Sequence, residues 1–126
     1  MDNRFEEGMR VFQEMMPDLA AGTASSQPAE RFAPELGKLS IENVFGSLWT
    51  RPGLDRRSRS LVTLGILIAL KASDELAIHF QIALRNGLTI AELEEVVYHS
   101  TAYAGFPAAS GASHVAGKVL SKTIES

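Results

Sequence analysis

Asp55-Arg-Arg-Ser-Arg-Ser-Leu-Val-Thr-Leu-Gly-Ile-Leu-Ile-Ala-Leu-Lys71, followed directly by Ala72-Ser-Asp-Glu-Leu-Ala-Ile-His-Phe-Gln-Ile-Ala-Leu-Arg-Asn-Gly87, decides the fold class. Neither run alternates with period two, and both carry apolar residues at helical spacing, so the pair predicts two successive helices. Asp55 stands as N-cap to the first, over 56–71, where its carboxylate can accept from the free N–H groups of the opening turn. Ser73 or Asp74 is expected to cap the second, which runs to Asn86 and stops at Gly87, the residue best able to adopt a left-handed C′ conformation. Asn86-Gly87 is also a hairpin signal, but its flanks lack the alternation a hairpin needs.

The same periodicity extends outward. Phe5, Met9, Phe12 and Met16 predict a first helix from Arg4 to Met16, ended by Pro17. Asp18 to Pro28, with Gly22, Thr23, Ser25 and Ser26, reads as a loop, and Ala29 to Trp49 as short helical pieces. Arg51-Pro-Gly-Leu-Asp55 is a turn. Downstream, Thr89-Ile-Ala-Glu92 is a capping box opening a helix that carries Leu93, Val96 and Val97 on one side. Gly105 and Pro107 separate it from a last helix, Ala108 to about Thr123, with Ala112, Val115, Ala116, Val119 and Leu120 as its apolar stripe. The expected fold is all-α, about six helices in a single domain over 1–126. In the last helix Gly111 and Gly117 each cost roughly 1 kcal/mol against Ala, so tight packing of another helix is the expected reason for them.

Composition removes several functions. The 126 residues are 45% hydrophobic, with 12 Lys+Arg against 15 Asp+Glu and no cysteine, which excludes disulfides, Cys-ligated metals and a thiol nucleophile. A charge of −3 and a pI near 5.6 give no basic face for nucleic acid. Leu61 to Leu70 is the longest apolar stretch, about half of what a bilayer requires. The N-terminus is acidic and lacks an apolar signal region, so a cytoplasmic location is expected. A chain this short buries about two-thirds of its unfolded surface, and self-association would add apolar burial.

Three histidines are the side chains whose ordinary pKa suits proton transfer near neutrality. His79 has Glu75, Leu76, Ile82 and Ala83 as its helical neighbours, an arrangement that fits either a general acid oriented by Glu75 or a hydrogen-bonded core histidine. His99 follows Glu95 by one turn and reads as a solvated face or a second site residue, whereas His114 lies among small and polar residues. Their spacing matches no metal motif, so no metal is expected. Arg51, Arg56, Arg57 and Arg59 form a basic cluster able to grip a carboxylate, although such clusters are commonly solvated surface. No phosphate loop, nucleophile elbow or dinucleotide fingerprint is present, so neither a nucleotide cofactor nor serine hydrolysis is expected.

Five blocks now take on meaning in order: Asn43-Val-Phe-Gly-Ser-Leu-Trp-Thr-Arg-Pro-Gly-Leu-Asp55, Arg59-Ser-Leu-Val-Thr-Leu64, Glu75-Leu-x-x-His79, Ala83-Leu-x-Asn-Gly-Leu-Thr89 and Tyr103-Ala-Gly-x-Pro-Ala-Ala109. From about Ile41 to Leu120 the chain resembles the carboxymuconolactone decarboxylase family. The resemblance implies a compact alkylhydroperoxidase-like helical protomer, assembled as a trimer or hexamer with active sites near protomer contacts. The family's redox branch uses Cys-x-x-Cys-x-x-x-His and an upstream Glu. With its His on His79, those positions are Ala72, Glu75 and Ser60, so that mechanism is missing here.

The decarboxylase branch converts 4-carboxymuconolactone to the β-ketoadipate enol-lactone in aromatic-acid catabolism, without a cofactor. By that resemblance His79 is the expected acid and Glu75 its orienter, with His99 a second catalytic candidate. Arg51 or Arg59 would clamp the substrate's other carboxylate, and Trp49 and Tyr103 would line its site. The chain departs from the branch at Ala77, Arg85, His99 and Ser110, where Arg, Asn, Gln and Asn are often found. Another decarboxylation, dehydration or isomerisation of a small acid therefore stays open, as does a non-catalytic oligomer or ligand-binding protein.

Overall fold

In a computed structural model, residues 2–17 and 32–125 are described. The loop expected at 18–28 lies outside them. By internal contacts the chain falls into two compact units, Met1–Leu54 and Asp55–Ser126. The described residues are helices and turns with no strand, so the fold is all-α.

In the first unit, helix α1 (Arg4–Met15) packs on a π-helical turn (Ile41–Phe45), which continues from α2 (Leu36–Ser40). Two glycines make the contact between α1 and the turn. A Cβ at Gly8 would stand 2.1 Å from the Ile41 carbonyl oxygen, and one at Gly46 would stand 2.1 Å from that of Arg4, so only backbone fits at each crossing. The Phe12 ring meets Phe45 edge-on at 5.0 Å, and Phe45 stacks on the buried Trp49 at 6.2 Å.

The second unit holds α3 (Arg56–Leu70), α4 (Ser73–Arg85), α5 (Ile90–Ala104), α6 (Phe106–Val119) and the short α7 (Ser121–Glu125). Helix α3 packs on α4, α5 and α6, and α6 also packs on α4 and α5. Leu64, Ile68, Leu76, Phe80, Ala83 and Ala112 form the centre of its core. Asp55 caps α3 as expected, its carboxylate accepting from Ser58 N–H at 2.7 Å. Gly87, at φ 99°, ends α4: its N–H donates to Leu84 O and the Leu88 N–H to Ala83 O, the paired closure of a left-handed stop.

Three expectations are corrected. Neither Ser73 nor Asp74 caps α4. The N-cap is Ala72, without a side-chain bond, because Lys71 takes a left-handed φ of 56° and closes α3 immediately before it. The last helix begins at Phe106 rather than Ala108, since Pro107 fits the first turn, where its missing N–H has no intrahelical partner, and Gly105 alone makes the break. It ends at Val119, ahead of the separate turn of α7. A Cβ at Gly111 or Gly117 would meet nothing within 4 Å, so among the described residues no helix packs tightly there.

Candidate functional site

Helices α3 and α5 leave a groove of about 630 Å³ between them, within the second unit. That size suits a small ligand. Arg57, Leu61 and Gly65, each four residues from the last, form its α3 wall; Ala91, Glu92, Glu95, Val96 and His99 form its α5 wall, and Leu88 closes one end. A Cβ at Gly65 would touch nothing, so the missing side chain there leaves the groove wider than a larger residue would. The walls are aliphatic, and the charged groups are Arg57, Glu92 and Glu95.

The capping box positions the polar end. Glu92 N–H donates to Thr89 Oγ1 at 3.1 Å, while Glu92 Oε1 accepts from the Thr89 N–H at 3.0 Å. The second oxygen, Oε2, accepts from Arg57 Nη2 across the groove. The Thr89 N–H bond, reinforced by Arg57, holds the Glu92 carboxyl below the usual carboxylate range. His99 lies one turn beyond Glu95 on the exposed side of α5, its ring 5.3 Å from that of the exposed Tyr103.

The other expected site residues lie elsewhere. His79, half-buried in α4, is not among the groove's lining residues. Burial pushes its imidazole from 6.5 down to about 4, so it is neutral at pH 7. Glu75 is exposed in the first turn of α4, and Arg59 is half-buried on α3. Trp49 and Arg51 belong to the first unit, the indole buried in its aromatic stack and the arginine exposed. Of the expected residues the structure brings His99 and Tyr103 together. Arg57 stands in the expected basic cluster but not among the expected clamps, and Glu92 is expected only as part of a cap. The capping box was readable, but nothing in the spacing showed that its carboxylate would reach an arginine 35 residues earlier.

The family model for the carboxymuconolactone decarboxylase family matches residues 34–118. The chain belongs to this family. It is 35% identical to the 4-carboxymuconolactone decarboxylase of Acinetobacter baylyi over 94% of this chain and 88% of that protein. It is 36% identical to the nitrosuccinic acid decarboxylase npaB of Metarhizium robertsii over 96% of this chain and 84% of that one. An uncharacterised 15.0 kDa protein of Paracoccus denitrificans is 26% identical, over 92% of this chain and 95% of its own length. The two nearer of these relatives are decarboxylases with different acids in their names, and this chain is a decarboxylase of the same family.

Decarboxylation is favoured by an apolar wall that leaves the departing carboxylate poorly solvated, and the carbon it leaves needs a proton donor. The α3–α5 groove supplies aliphatic walls, the Arg57 guanidinium and the His99 imidazole. At Ser60, where the redox branch would carry Glu, the hydroxyl is buried and accepts from Asn86 Nδ2 at 2.9 Å. No helix among the described residues is long and apolar enough to cross a membrane.

Proposed function

We propose that this decarboxylase acts without a cofactor on a small carboxylated lactone, 4-carboxymuconolactone first among them, bound in the α3–α5 groove. The observation that carries the reading is that Arg57 and His99 both line a groove with aliphatic walls, beside Glu92 and Glu95. One substrate carboxylate meets Arg57, and the one to be lost lies against Leu61, Leu88 and Val96. As its C–C bond breaks, CO2 departs and the electron pair passes through the ring C=C bond to the lactone oxygen as a dienolate. His99 delivers a proton to the ring carbon and is recharged from solvent, to which it is exposed. This reading assigns the protein to aromatic-acid breakdown in the cytoplasm.

The family resemblance keeps His79 and Glu75 in the proposal as catalytic candidates, and the lowered His79 pKa accords with it. His79 lies outside the groove's lining, so His99 is the acid in this reading. Tyr103, whose ring lies beside His99, keeps the substrate-binding role implied by the family. The likeness to a nitrosuccinic acid decarboxylase favours a second substrate, a nitro-bearing dicarboxylate in the same groove. Loss of substrate absorbance in the presence of each acid decides between them. No turnover of 4-carboxymuconolactone at micromolar enzyme removes it, and unchanged activity in both His79→Ala and His99→Ala removes the proton-transfer scheme.

A homo-oligomer, trimer or hexamer, belongs to the same proposal. Tyr103, Phe106 and Leu70 are 84%, 71% and 69% exposed, and large apolar side chains so placed favour contact with other copies. A light-scattering mass near 13.6 kDa at micromolar concentration would contradict assembly.

A further inference from the structure

The geometry points to Glu92 as a positioning residue that holds Arg57 at the groove as a grip for a second carboxylate, making the site selective for dicarboxylates. The inference rests on the groove being the substrate site. Glu92 makes two separable connections: Oε1 closes the capping box on Thr89 N–H, and Oε2 takes Arg57 Nη2. The first fixes the carboxylate to the rigid start of α5. The second therefore ties a long, otherwise mobile arginine side chain to that fixed point. Arginine carries five N–H donors in a planar fork, and the bond to Glu92 occupies Nη2. The remaining donors are left for a ligand in the groove that Arg57 lines. A guanidinium so held loses less rotamer freedom on gripping a carboxylate than one that must first be ordered.

The charges make the selectivity specific. Glu92 offsets Arg57, and Glu95 adds a further negative charge, so the groove has no general attraction for anions. Binding of a second carboxylate then depends on direct hydrogen bonds from the oriented fork rather than on a diffuse positive field. A monocarboxylate that places its one carboxylate against the aliphatic wall gains nothing from Arg57.

Glu92→Gln separates the two connections. A glutamine completes a capping box as glutamate does, so α5 keeps its start. Its amide cannot anchor the guanidinium, because the anion is gone and an N–H group faces an N–H group. The experiment is equilibrium binding of adipate and hexanoate, acids of equal chain length with two carboxylates and one, to the full-length chain. Wild type is expected to bind adipate about tenfold more tightly than hexanoate, the scale of a charge-assisted bond. Arg57→Gln should remove that preference. Glu92→Gln should weaken adipate several-fold, leave hexanoate unchanged and leave the melting temperature within error. Equal binding of the two acids by wild type, no adipate binding at millimolar concentration, or tighter adipate binding by Glu92→Gln would overturn the inference; in the last case Glu92 competes for Arg57 instead of positioning it. Binding is read without turnover, so failure on 4-carboxymuconolactone alone would leave the Arg57 grip standing and remove the proposed substrate.

Discussion

Protonating His79 should unfold the protein by a predictable amount. Burial lowers the folded-state imidazole from 6.5 to about 4, so below pH 6.5 the unfolded chain takes up a proton that the folded chain refuses. The sign follows: the stabilisation is complete above the unfolded value, falls as pH drops from 6.5 toward 4, and levels off below that. One proton per molecule gives a slope near 1.4 kcal/mol per pH unit, so passing from pH 7 to pH 5 should cost about 2 kcal/mol. Urea denaturation across this range, compared with His79→Leu, isolates the contribution because all other titrating groups are shared. The wild type should lose about 2 kcal/mol more than the variant. If the leucine variant does not fold, the imidazole proton resonance of His79 in the wild-type protein reads the same quantity directly. Parallel stability profiles, or an imidazole titrating near 6.5, would refute the placement of His79 in a desolvated interior.

Three further outcomes test the fold around the site. Thr89→Ala should cost about 1 kcal/mol in urea unfolding, through loss of the hydroxyl that accepts from Glu92 N–H, and Thr89→Ser should restore most of it. Gly8→Ala should destabilise the first unit by roughly 2 kcal/mol, because the added methyl meets the Ile41 carbonyl rather than a side chain that can move. Limited proteolysis should then cut within residues 2–54 sooner than in wild type. Gly111→Ala and Gly117→Ala should each stabilise the monomeric protein by up to about 1 kcal/mol, since helix propensity improves and the new methyl touches nothing in the chain; a loss of stability would show that another copy packs there.

What the sequence conveyed was local. Asp55, Gly87 and the Thr89–Glu92 box announce themselves because each satisfies N–H or C=O groups within a few residues, so residue type and spacing suffice. Lys71 did not, because its left-handed conformation has no compositional signature: it is held by Lys71 N–H to Ile68 O and Ala72 N–H to Leu67 O, bonds that any residue could make. That hidden stop is also why Ala72, rather than Ser73 or Asp74, begins α4. The groove was less readable still. Periodicity assigns Arg57 and Gly65 to the same side of α3 as Leu61, but it carries no information about which helix lies opposite. Gly111 shows the converse error, in which a composition suited to tight packing was read as evidence for a neighbour that the chain itself does not provide.

The two positions that would carry thiols in the redox branch bear on how the histidines divide their work. Ala72 and Glu75 both sit at the N-terminal end of α4, where the partial positive charge of the helix favours an anion. A thiolate and a carboxylate meet that preference equally, so replacing one by the other keeps the helix start while removing its redox capacity. Glu75 is exposed there beside Asp74, and burial lowers the His79 pKa. The charge of Glu75 suits the helix terminus, and His79 is a neutral imidazole at pH 7, suited to hydrogen bonding rather than proton delivery. His99, exposed on a groove that also carries an anchored arginine, has the solvent access a recharging acid needs. The difference between the histidines is thus one of dielectric, set by which face of its helix each occupies.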